Sequence, residues 1–176
     1  MNDVIDYIQP MPRNPTEFTR SAKAVFVATS LMPTSFGIYT DFLAGNIPLC
    51  FVQLRMMIES MAVYFTADKE HNQESFFYDK IVLSKKAQDL QGVRISKVIS
   101  AIDEDAAKVW HRCSQWVHPQ DLAKKFVNYV AEHGAPSWSL ALPMEYDSID
   151  EPAIEELGSE LALFRRILSR MMNNWE

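Results

Sequence analysis

Residues 109–119, Val109-Trp110-His111-Arg112-Cys113-Ser114-Gln115-Trp116-Val117-His118-Pro119, hold the densest set of chemically capable groups in the chain. Two histidines, an arginine and a cysteine stand among two tryptophans. An arginine presents a planar fork of N–H donors that matches a phosphate, and a histidine can move a proton near neutral pH. Arg112 and His118 are therefore the candidate site pair. The plainer alternative makes both structural: Arg112 paired with an acidic residue such as Glu59, and His118 satisfying carbonyls at a helix end.

The elements that must position them can be read from the spacing. As a helix, the stretch places Ala106, Val109, Trp110, Cys113, Trp116 and Val117 on one apolar stripe, with Arg112 at its edge. Asp103 is placed to cap it, followed by the acidic Glu104 and Asp105. Pro119 disfavours the α conformation at His118, so the helix should end there with His118 at its mouth. On a regular helix, side chains six apart diverge by about 120°. Arg112 and His118 would thus converge only through the break at Pro119, or from two chains.

A second, longer helix is expected at 47–65, capped by Asn46 and apolar on nearly every side, hence central and buried. Its polar residues include Arg55 and Glu59, which are spaced to pair with each other, because a buried charge without a partner is costly. Ahead of it, Asn14-Pro15-Thr16-Glu17 is a helix start, predicting one helix through Thr29 to a kink at Pro33 and on to Gly45. A third helix carries Phe76 to Leu90 and stops at Gly92, and a short link begins at Ser96. Beyond Pro119 a further helix runs to Gly134. Residues 135–149 read as an extended strap bracketed by Pro136 and Pro143. The last helix starts near Asp150, with Ile154, Leu157, Leu161, Phe164, Leu168, Met171 and Trp175 forming a seam for one antiparallel neighbour or another copy of the chain. The reading is all-α: an up-and-down helical bundle of about five to seven helices in a single domain, 1–176.

Composition narrows the function. With 48% hydrophobic and 23% charged residues the 176-residue chain can bury a core and is not of the disordered class. Its net charge of −6 excludes coating nucleic acid or anionic membrane by bulk charge, while leaving room for a local basic site. The two cysteines, Cys50 and Cys113, sit in apolar runs and read as reduced core thiols. The first residues lack a signal-peptide pattern, and uninterrupted apolar runs are shorter than the roughly 18 residues of a membrane span, so a cytoplasmic, soluble protein is expected. Cys113 with His111 does not form a nucleophile pair, and His111, His118 and Cys113 lack the spacing of a zinc site. His71, in a charged turn, reads as solvated. Lys85, Lys86, Arg94, Lys97, Lys124 and Lys125 read as solvated faces or an RNA path. Arg165, Arg166 and Arg170 can pair with Glu155, Glu156 and Glu160.

The order "LRMMIES" on one buried helix, then "FYDKIVLSKK", then a helix ending "RCSQWVHP", resembles the HEPN family of helical domains over roughly residues 46–120. Those proteins carry an arginine and a histidine separated by four to six residues near one helix end; here five residues separate Arg112 and His118. The resemblance implies an HEPN-like core and metal-independent RNA cleavage of the defence or toxin type. His118 would assist attack by the ribose 2′-hydroxyl, Arg112 would stabilise the phosphate charge, and Glu59, beside Arg55, would orient Arg112. It also implies a homodimer, an RNA or nucleotide ligand, an antitoxin-like protein partner, and no cofactor or metal. Active members often carry a polar residue directly after the arginine, where this chain has Cys113. The alternative is a non-catalytic interaction module that binds a partner protein or a nucleotide in the same groove.

Overall fold

The computed structural model describes residues 2–74, 76–134 and 150–175. Every regular element among them is helical, and together they form an all-α bundle. Three short pieces come first. Helix α1 spans Asn2–Ile8, α2 spans Pro15–Arg20 and α3 spans Ala22–Phe26. Asn14 caps α2 as expected, accepting the Thr16 N–H at 2.9 Å. The single helix expected from Asn14 to Pro33 is interrupted at Ser21, however, whose backbone is extended (φ −87°, ψ 106°). Its hydroxyl accepts the Ala24 N–H at 3.1 Å, so a serine side chain competes with the helix and starts a new one. The kink expected at Pro33 is a π turn at Val27–Leu31 leading into α4, Met32–Leu43. The Met32 N–H reaches five residues back to the Val27 carbonyl, and this wider turn precedes a proline that has no N–H to donate.

Helix α5, Ile47–Glu70, is the centre of the bundle and, at about 1.5 Å per residue, is roughly 36 Å long. The Asn46 side chain caps it. Cys50, Phe51, Leu54, Met57, Ile58 and Met61 recur at three- and four-residue intervals and are buried. They meet α3, α4 and the later helices α6 (Phe77–Gln91), α7 (Ile95–Ile102), α8 (Glu104–Ser114) and α10 (Glu151–Asn173). The expectation of burial on every side does not hold, because Leu49 and Met56 face solvent. By length and composition α5 is apolar enough to cross a membrane; here it carries Arg55 and Glu59 and packs as the bundle's core helix.

Gly92 closes α6 in the left-handed conformation (φ 61°) that glycine adopts without strain, and the Val93 N–H reaches back to the Gln88 carbonyl at 3.0 Å. The chain then turns through α7, α8 and α9 (Pro119–His133). Helix α10 buries Leu157, Phe164, Ile167, Leu168, Met171 and Met172. Ile167 and Met172 widen the expected seam, so α10 packs on both α5 and α8 rather than on one neighbour. Trp175 anchors its end, 5.4 Å from the Phe26 ring and 5.6 Å from Phe65, with its indole N–H donating to Asp68 at 3.1 Å. The strap expected at residues 135–149 lies outside the described residues.

Candidate functional site

Helix α8 begins where the sequence places it. The Asp103 carboxylate accepts the Ala106 N–H at 2.9 Å, satisfying a donor that has no partner within the helix. Ala106, Val109 and Cys113 then point into the core, with at most 1% exposure. Burial, with the Glu160 charge adding to it, pushes the Cys113 thiol up to about 12, and burial pushes Cys50 up to about 11. Both are neutral thiols at physiological pH, which removes them as nucleophiles.

The two tryptophans are fixed by paired stacking and hydrogen bonding. Trp116 stacks on Phe51 with ring centroids 4.6 Å apart and planes 1° from parallel, and its indole N–H donates to Glu156 at 3.1 Å. Trp110 donates to Glu59 at 2.7 Å and lies beneath the Arg55 guanidinium, 5.0 Å from the ring centroid. Arg55 in turn donates to Glu59 at 2.9 Å, the pairing expected from their spacing.

Glu59 is therefore occupied by Arg55 and Trp110, and it does not orient Arg112. That task falls to Glu160 of α10. Arg112 Nε donates to Glu160 Oε1 and Nη2 to Oε2 at 2.8 Å, a two-point fork. The Glu160 side chain is only 7% exposed and that of Arg112 is 38% exposed. Hydrogen bonding to Glu160 holds the guanidinium above its ordinary value, burial opposing. Glu160, expected to pair with an arginine of its own helix, is instead buried and bonded to Arg112, and Arg170 bonds Asp103 at 2.8 Å.

His118 stands where the helix breaks. Helix α8 ends at Ser114, and the next residues close tight turns, with the His118 N–H donating to the Ser114 carbonyl at 3.2 Å. His118 itself is extended (φ −83°, ψ 122°) and is the N-cap of α9, whose first residue is Pro119. Its imidazole does not cap α9 and is exposed.

Arg112 and His118 line different, adjoining hollows. His118 lines an open groove of about 760 Å³ with Ser96 of α7, His111, Ser114 and Gln115 at the end of α8, and Lys124 and Asn128 of α9. Arg112 lines an adjoining depression with Lys108, Ser96 and Ser100. With Ser96 and Trp110, His111 thus lines both hollows. Helical spacing alone does not bring 111 and 118 together, because α8 ends at Ser114 and the turns that follow set where His118 lies.

Of the other candidates, Lys124 faces the groove and Lys97 lines a separate depression beside His71. His71 is not simply solvated, since its Nε2 is buried without a hydrogen-bond partner. Among the described residues no three histidine, cysteine or acidic side chains come together as metal ligands. No family model, curated protein or solved structure matches this chain.

Proposed function

We propose that the chain is a metal-independent endoribonuclease of the HEPN-like kind, with His118 as a proton-transfer residue and Arg112 as a phosphate ligand. One observation carries the reading. Among the described residues the groove and its adjoining depression are lined by Lys108, Arg112, Lys124, two imidazoles and neutral residues, and by no carboxylate, in a chain of net charge −6. A polyanion is the ligand such a surface selects against the field of the rest of the molecule. Glu160 takes two of the Arg112 donors and fixes the guanidinium, leaving other N–H groups to hold a phosphate next to the one at His118.

The test is cleavage of end-labelled single-stranded RNA in chelator. The wild type should cut and leave 2′,3′-cyclic phosphate ends; His118→Ala should lose about 10²–10⁴-fold in rate. Arg112→Ala should weaken binding as well as rate. No cleavage by the wild type, or equal cleavage by His118→Ala, overturns the proposal.

A second reading, a non-catalytic interaction module, is favoured by a different face. Met32, Phe36, Tyr39 and Leu43 repeat at helical spacing along α4 and are exposed, Phe36 by 59% and Leu43 by 61%. They lie beside an apolar groove of about 730 Å³ between α4 and α10. A patch of this kind suits a protein partner or a second copy of the chain. RNA bound tightly but left uncut by the wild type selects this reading.

A further inference from the structure

We infer that His111 and His118 act together as a general acid–base pair on one phosphodiester, so that the proton-transfer machinery is a histidine pair within one chain rather than the arginine–histidine pair. The inference rests on the endoribonuclease reading and deepens it. Both imidazoles are exposed and both line the same groove, whereas Arg112 lines the neighbouring depression. The end of α8 and the tight turns after it bring both residues to the lining of one groove. A phosphodiester seated there can hydrogen-bond to both rings. That placement is held on both sides. Val109 and Cys113 root the end of α8 in the core, and the His118 N–H is tied to the Ser114 carbonyl.

The surroundings assign the roles. His111 lies in the last turn of α8, where free carbonyls give the helix its negative end. His118 lies at the first turn of α9, where free N–H groups give it a positive end. The two helix ends are thus of opposite polarity, with the base placed at the start of α9 and the acid at the end of α8. Among the described residues the groove lining adds Lys124 from α9 and Ser96 from α7, and Lys108 and Arg112 flank His111 in the adjoining depression. Lys108, one turn before His111, is tied to Asp105 at 3.1 Å.

In the reaction, neutral His118 takes the proton of the ribose 2′-hydroxyl as that oxygen bonds to phosphorus. The bond from phosphorus to O5′ breaks, and protonated His111 gives its proton to the departing oxygen. The products are a 2′,3′-cyclic phosphate and a 5′-hydroxyl, and the enzyme is left with the two protons exchanged, to be restored through solvent. Lys124 stands to neutralise charge on the non-bridging oxygens.

The experiment compares two substrates on wild type, His111→Ala and His118→Ala. One is an RNA dinucleotide; the other is a uridine 3′-aryl phosphate whose nitrophenolate leaves without protonation. The His111 variant should lose about 10²–10⁴-fold on the dinucleotide and stay within about tenfold of wild type on the aryl ester. The His118 variant should lose activity on both. Circular dichroism of each variant separates these losses from unfolding, and His111→Gln, which keeps a polar side chain without a titratable nitrogen, should behave as His111→Ala does. Full dinucleotide activity in the His111 variants overturns the inference while leaving the endoribonuclease reading intact. So does an equal loss on both substrates, which would mark a binding residue, or rescue of the His118 variant by the aryl ester, which would reverse the roles. A wild type that cuts neither substrate overturns both.

Discussion

Helix α8 has two faces that follow opposite rules. On the inner face every group capable of chemistry is neutralised by its surroundings. The Cys113 thiol is buried and neutral, and Trp110 and Trp116 have their N–H groups bonded to Glu59 and Glu156; Arg112, at the edge between the faces, has two donors forked onto buried Glu160 and its other N–H groups left over. On the outer face His111, Gln115 and His118 project into an open groove. The contrast shows that residue type alone does not mark a site. A reactive side chain whose bonding capacity is already used is part of the scaffold, and one held in place by its backbone alone is available to a ligand.

If the inner face is scaffold, its removal must unfold the protein. The largest effect should come from Phe51→Ala. Phe51 is fully buried and is the ring on which Trp116 stacks, so truncation leaves a cavity under the end of α8 at a cost of about 3–5 kcal/mol. Urea unfolding followed by tryptophan fluorescence measures it; a change below about 1 kcal/mol would mean that this corner of the bundle does not hold α8.

Arg112→Ala should come next. The guanidinium is partly exposed, but Glu160 is buried and would be left as a carboxylate without its main partner. Loss of one member of a buried pair costs about 3–5 kcal/mol, and water entering from the open side should reduce this to roughly 2 kcal/mol. Adding Glu160→Gln removes the stranded charge, so the double variant should be more stable than Arg112→Ala alone. Additive losses in that cycle would show that the pair is not coupled.

Much of this arrangement was legible in the sequence, and the reasons are local. Asn14, Asn46 and Asp103 cap helices because a side-chain oxygen next to a helix start has an N–H within reach, whatever the tertiary fold. Gly92 ends α6 for the same kind of reason. The Arg55–Glu59 pair follows from one helical turn. What was not legible is long-range. The partner of Arg112 lies 48 residues away, and nothing near Arg112 distinguishes Glu160 from Glu59. The break at Ser21 was hidden because a serine reads alike inside a helix and at its cap. His111 was discounted by comparing it with Cys113, a neighbour on the helix, when the useful comparison was with His118, which the turns after Ser114 bring to the same groove.

The smallest effect on stability should come from the outer face, and it is the one that separates the two faces most sharply. The His118 backbone, extended before Pro119 and bonded through its N–H to Ser114, caps α9 without help from the imidazole. Alanine can adopt the same conformation before a proline, so His118→Ala should keep the helix junction. His111 is exposed on the last turn of α8, and its removal exposes no core. Both variants should therefore unfold within about 0.5 kcal/mol of the wild type, the range of ordinary surface substitutions. A loss of RNA cleavage in these variants then has no explanation in folding. A loss of several kcal/mol in either would instead place that histidine in the scaffold, and the distinction between the faces of α8 would fail at that residue.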